Sequence, residues 1–147
     1  MISKLISILS NPNNRNTIKL INIMNDVKLL SFDYTHWSKY INFQKKNNYN
    51  KTIIYRNDIY EIILISWNKN AITKIHNHPK NGCIMKILKG SLMEETYDSN
   101  TLEKIGENIY EKDNISYIHD DLYHHKIINT SPQSVSLHIY SPPKFYD

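Results

Sequence analysis

From about Thr52 onward the chain is a succession of short segments rich in Ile, Val and Tyr: TIIYR, YEIILISW, CIMKILKG, SLMEETYD, NISYIH, HHKIIN and SVSLHIYS. Between them stand Asn57-Asp58, Asn68-Lys69-Asn70, Pro79 to Gly82, Gly90, Asp98 to Asn100, Asp120-Asp121 and Ser131-Pro132. β-Branched and aromatic side chains fit a pleated, half-buried surface, and Gly, Pro, Asn and Asp supply the backbone of tight turns. Many short strands at regular spacing predict a mainly β fold, a barrel or a sandwich. The 147 residues suffice for one such domain with its own core.

The first 45 or so residues have a different texture. Leu5, Ile6, Leu9, Ile18, Ile21, Ile23, Met24 and Val27 recur at helical spacing. Asn11 to Asn16, with Pro12 among them, break that stretch into two helices. Ser31 to Thr35 reads as a helix start before Trp37 and Tyr40, and Lys45 to Lys51 as a polar loop. The expected organisation is a single domain over 1–147: a helical lead-in to about 45 and a β-barrel from about 50.

Charge and cysteine usage exclude several classes. The net charge is +4, but the lysines are scattered singly among acids, so no nucleic-acid surface is expected. One cysteine cannot form an internal disulfide. The N-terminal MISKLISILSNPNN lacks the pattern of a secretory leader, and no apolar run approaches membrane-spanning length. The expectation is an intracellular, cytoplasmic protein without a membrane or nucleic-acid partner.

The chemistry concentrates in KIHNHPKNGCIMKILKG, Lys74 to Gly90. His76 and His78 are two residues apart, which on a strand puts both rings on one face. Such a pair can hold one metal ion with nitrogens about 2 Å away. It can equally be a surface or hydrogen-bonded pair. A third histidine comes from LYHHKIIN. His124 shares a strand face with Lys126 and is expected outward; His125 shares one with Ile127 and Asn129 and is expected inward. In VSLHIYS, Val135, Leu137 and Ile139 alternate with Ser136, His138 and Tyr140. The polar set either faces solvent or lines a polar interior around a site. Arg56 enters a strand among Ile and Tyr. Its guanidinium suits bidentate capture of a carboxylate, or lies at the surface on a buried stem.

Together these residues resemble the cupins, and among them the animal-type cysteine dioxygenases. IHNHPKNGCIMKILKG is similar to the first cupin motif, with Cys83 where most cupins carry a glutamate ligand. HKIIN is similar to the second. SVSLHIYSPP, the YRN at Tyr55 to Asn57, the Trp37 to Tyr40 segment and the Gly90 turn match the same family. Ile54 stands where relatives often have tyrosine. The resemblance implies a jelly-roll barrel in which His76, His78 and His125 hold Fe(2+). It implies that Arg56 binds the substrate carboxylate. It further implies that Tyr140 lies by the metal, joins Cys83 as a thioether, and is oriented by His138 and Ser136. The implied reaction is oxidation of L-cysteine by O2 to cysteine sulfinic acid, by a monomer. A 3-mercaptopropionate dioxygenase and a cupin that binds metal or thiol without turnover are the alternatives.

Overall fold

The computed structural model describes residues 1–11, 19–44, 48–118 and 123–144. The predicted break at Pro12 to Asn16, the periodic Ile18, part of the polar loop and the Asp120-Asp121 turn lie outside these residues.

Helix α1 spans Ile2–Leu9 and buries Leu5 and Leu9. After it come a 3-10 turn over Leu20–Ile23, helix α2 over Met24–Leu29, and the single turn α3 over Tyr34–Trp37, continued by a 3-10 turn to Tyr40. The predicted start before Trp37 is a capping box, with Asp33 and His36 satisfying each other's backbone N–H groups. Of the helix-spaced residues, Leu5, Leu9, Ile23 and Val27 are buried, whereas Ile21 is 49% exposed and Leu20 is buried in its stead. The 3-10 geometry explains the exchange: three residues per turn rotates the apolar stripe away from the helical periodicity.

Eight strands follow: β1 (Tyr49–Arg56), β2 (Glu61–Trp67), β3 (Cys83–Lys89), β4 (Ser91–Tyr97), β5 (Lys104–Glu111), β6 (Ile115–Ile118), β7 (His124–Asn129) and β8 (Ser134–Tyr140). Two expectations change. The segment read as a polar loop up to Lys51 is already strand from Tyr49. Residues 104–111 form β5, which the sequence reading passed over. β5 is an edge strand, mostly exposed, without an alternating apolar face. It has little hydrophobic signal to show.

The strands form a five-stranded sheet in the order β1-β2-β8-β3-β6 and a three-stranded sheet in the order β5-β4-β7. Every residue of β2 and β8 is buried, because both faces of the larger sheet are covered. Outward, Ile62, Leu64, Ile84, Leu137 and Ile139 pack on Leu5, Leu9, Leu20, Val27 and Trp37 of the helical lead-in. Inward, Ile63, Ile65, Trp67, Met85 and Ile87 meet Leu92 and Ile127 of the smaller sheet. Lys86 faces the helices and is 2% exposed. Its ammonium donates to the carbonyls of Val27, Lys28 and Leu30 at the end of α2, closing orphan acceptors there.

Candidate metal centre

Three loops and strands bring the histidines together. The segment carrying His76 and His78 is not a regular strand, contrary to expectation. It makes isolated bridges instead, Ile72 with Ile128 and His76 with His125. His76 N–H donates to the His125 carbonyl at 2.9 Å, and His125 N–H returns a bond to His76 at 3.0 Å. This exchange sets the first motif against β7. His125 is buried while its neighbour His124 is half-exposed, as the Lys126 argument predicted. Asn129, at the end of the second motif, ties the same corner. Its amide donates to the carbonyls of Trp67 and Asn68, and its oxygen accepts from Ser134 Oγ and Ser131 N–H.

The donor atoms converge. His125 Nε2 lies 2.7 Å from His78 Nε2 and 2.8 Å from His76 Nε2. His76 Nδ1 faces the Lys74 carbonyl at 2.8 Å and so carries the hydrogen. His125 Nδ1 faces a Glu94 carboxylate oxygen at 2.7 Å and carries one too. Burial pushes the pKa of all three rings down, most firmly for His78 and His125. Neutral rings with hydrogens on Nδ1 present lone pairs at Nε2. At least two such lone pairs therefore face each other within 3 Å with no proton between them, a repulsive arrangement that a cation relieves. His78 Nδ1 is buried without a hydrogen-bond partner, so its proton is not fixed by a second contact. The three rings fit a metal ion, and they are the one group of metal-ligating side chains of this kind among the described residues.

Glu94 was not foreseen. β4 pairs with β7 so that Glu94 lies opposite Ile127 and shares the inward face with His125. It is fully buried. Desolvation raises its pKa to about 7, against the hydrogen bond from Tyr110 Oη at 3.2 Å. A carboxylate behind a ligating imidazole fixes the tautomer and raises ligand basicity.

β8 delivers the second set. Ser136, His138 and Tyr140 all point into the barrel, and Val135, Leu137 and Ile139 point to the helices. Trp67 Nε1, which can only donate, lies 2.8 Å from Ser136 Oγ. Ser136 Oγ also lies 2.7 Å from His138 Nε2 and can pass its own hydrogen there. His138, held neutral by burial, faces Tyr140 Oη through Nδ1 at 3.2 Å. With the hydrogen on Nδ1, the ring donates to Tyr140 and leaves that hydroxyl its own hydrogen to donate elsewhere. Cys83 lies directly opposite it in the β3–β8 ladder and is in hydrogen-bonding contact with it. Burial pushes the Cys83 thiol up, so at neutral pH it is a thiol.

A cavity of about 490 Å³ opens over these groups, lined among others by Lys51, His76, Cys83, His125, His138 and Tyr140. Arg56 is not among its lining residues. Its Nε and Nη2 contact one oxygen of Glu61 at 2.7 and 2.6 Å. Glu61 is 1% exposed, and its other oxygen accepts Lys144 N–H at 3.1 Å. Breaking such a buried pair costs roughly 3–5 kcal/mol. Tyr55, one place before Arg56, faces the helical side and packs on Tyr60, after a β-bulge between Ile53 and Tyr55.

Comparisons with known proteins bear on this arrangement. Cysteine dioxygenase type 1 of Homo sapiens is 29% identical over 118 residues, 76% of this chain and 59% of the human protein. The Rattus norvegicus and Danio rerio proteins of the same name are 29% and 27% identical, each over 73% of this chain and 57% of their own length. The chain thus spans less than two thirds of the length of these curated relatives. Among solved structures, a cupin superfamily protein from Desulfitobacterium hafniense superposes with a TM-score of 0.55 at 15% identity, covering 69% of this chain and 83% of that one. KdgF from Halomonas sp. superposes with a TM-score of 0.58 at 13% identity, over 73% of this chain and 92% of that one. These likenesses establish the cupin barrel. The family model for cysteine dioxygenase type I matches residues 2–146, and with a match that runs through the lead-in, the barrel and both histidine motifs, the chain belongs to that family.

Proposed function

We propose that this chain is a non-haem iron thiol dioxygenase that converts L-cysteine and O2 to cysteine sulfinic acid, working as a cytoplasmic monomer. Both oxygen atoms end on sulfur, so the reaction balances without a further reductant. The single observation that carries the reading is the convergence of three neutral imidazoles on one point beside Cys83 and Tyr140. His76, His78 and His125 would hold ferrous iron there, which would supply the redox chemistry and make a thiol more acidic. The three ligands are neutral, which suits a substrate that brings its own negative charge.

The chain's own residues orient and exclude. Glu94 holds the His125 ring. The Trp67–Ser136–His138 chain of hydrogen bonds fixes the Tyr140 hydroxyl over the cavity, where it can donate to Cys83 or to a substrate atom. Buried Ile65 and Ile127 give the cavity an apolar wall. In this reading Cys83 Sγ and a ring carbon of Tyr140, ladder partners in β3 and β8, join as a thioether, the S–H and the ring C–H giving up one hydrogen each to O2, which leaves as hydrogen peroxide. In this reading the family role of Arg56 meets an obstacle, since Glu61 stands on its guanidinium.

Anaerobic loading with Fe(2+), followed by oxygen and each thiol, tests the proposal. Sulfinate accumulating in step with oxygen consumed is expected. Iron bound with no sulfinate from L-cysteine or 3-mercaptopropionate would instead support a metal- or thiol-binding cupin without turnover, the reading that the Arg56–Glu61 pair favours.

A further inference from the structure

We propose that Tyr110 is a positioning residue for the metal centre: from the seam between the two sheets it fixes the Glu94 carboxylate, and through Glu94 it fixes the His125 ring. The proposal rests on the reading of His76, His78 and His125 as a metal centre, and it needs no turnover to be true.

The edge strand β5 reaches the interior through one large side chain. All its residues are exposed except Gly106 and Tyr110. Buried Leu92 stands opposite Tyr110 in the β4–β5 ladder, and Glu94 stands opposite Asn108. Tyr110 is therefore the diagonal neighbour of Glu94 on the inner face, about 7–8 Å away along the backbone, a span that a tyrosine covers. Its Oη donates to Glu94 Oε1 at 3.2 Å. The same phenol is in hydrogen-bonding contact with Ser116. Ser116 is buried and lies opposite Met85, so it belongs to the inner face of the larger sheet. Tyr110 thus bridges the seam at which the edge strands β5 and β6 meet. The turn joining these strands is pinned to β3: Asp113 N–H donates to the Ile87 carbonyl at 2.9 Å, and Ile87 N–H to the Asn114 carbonyl at 3.1 Å. The phenol is held by its own chain as well as by its contacts.

Glu94 needs that hold. Its Oε2 accepts the His125 Nδ1 hydrogen at 2.7 Å. A carboxylate turns about its last bond with little resistance, because such a torsion is broad and two-fold. A donor on the second oxygen fixes the plane. Glu94 is fully buried, so losing the phenol hydroxyl leaves Oε1 an unsatisfied acceptor and frees the carboxylate to turn from His125. A carboxylate orients a ligating imidazole only as well as it is oriented itself.

Tyr110→Phe tests this, since it keeps the ring that packs on the core and removes the hydroxyl alone. Cobalt(II) affinity is measured by chelator competition in wild type, Tyr110→Phe, Glu94→Leu and the double variant. Tyr110→Phe is expected to bind cobalt(II) about tenfold more weakly, with its visible d–d bands shifted. In the Glu94→Leu background the same change alters affinity by less than about twofold and leaves the bands in place, because the residue through which Tyr110 acts is gone. Unchanged affinity in Tyr110→Phe overturns the proposal. A tenfold loss that persists in the Glu94→Leu background also overturns it, and assigns the tyrosine to packing. A second measurement needs no metal. In isotope-labelled metal-free protein, the His125 Nδ1 proton is expected as a downfield, slowly exchanging NMR signal that Tyr110→Phe moves upfield or broadens. An unmoved signal overturns the proposal too. If the wild-type chain binds neither cobalt(II) nor Fe(2+), the metal-centre reading fails by itself, and the His125 signal still decides for or against Tyr110.

Discussion

At the scale of single residues, the centre depends on which hydrogens sit on which ring nitrogens. Glu94 and the Lys74 carbonyl each take an Nδ1 hydrogen and so aim two Nε2 lone pairs at one point. Glu94→Gln keeps an acceptor but removes the charge and is expected to weaken Fe(2+) or cobalt(II) affinity about tenfold; Glu94→Leu approaches 100-fold. Chelator competition measures both. Were Glu94 merely a packing residue, the isosteric glutamine would leave affinity unchanged. The histidines themselves were legible in the sequence because spacing and neighbours constrain them: His125 was separable from His124 by the company of Lys126. Glu94 was not legible. In SLMEETYD two adjacent glutamates read as one solvated pair, and only the register with β7 turns the first of them inward. Lys51 was hidden for a related reason, since a lysine beside Asn48 and Asn50 looks like loop until β1 is seen to begin at Tyr49.

At the scale of elements, strands buried on both faces announced themselves as near-continuous Ile, Leu and Val, whereas the polar edge strand β5 did not. A side chain's partner across an interface is beyond local pattern altogether. Lys86, in the apolar run CIMKILK, looks like the outward residue of an alternating strand; it is nearly fully buried under α2. Burial lowers its pKa, and three carbonyls at the α2 terminus hold it. Lys86→Met keeps the length of the side chain and leaves those carbonyls without their donor. The expected loss is about 1–3 kcal/mol of stability, read from the urea midpoint at unchanged slope. Metal affinity should be unaffected, because the strand's inner face is untouched.

At the scale of the whole molecule, four neutral histidines, three buried and His76 half-buried, govern the response to acid. Burial lowers the pKa of His76, His78, His125 and His138 below the value of 6.5 that each regains on unfolding. The unfolded chain therefore binds protons that the folded one refuses. Their contribution is intact above about pH 6.5 and is lost as the pH falls, by up to about 1.4 kcal/mol per pH unit for each ring. Glu94, raised to about 7, acts in the opposite sense over its own range and offsets about one of the four. Thermal melts of metal-free protein from pH 7.5 to 5 should show Tm falling steeply below 6.5. A flat profile would mean that the rings are already protonated in the fold. Metal present at saturation should move the fall to lower pH, because a ligated imidazole cannot take the proton.

The strand order has one more consequence. β8 lies between β2 and β3, although it is made long after both. While the chain is emerging from the ribosome, those two strands have no common neighbour. They expose two unpaired apolar edges, and the serine, histidine and tyrosine that face the metal site do not yet exist. A nascent chain lacking β8 therefore has histidines but no enclosed chamber, so loading with a metal ion belongs after synthesis of this strand, and the unfinished sheet is the stage most in need of a chaperone.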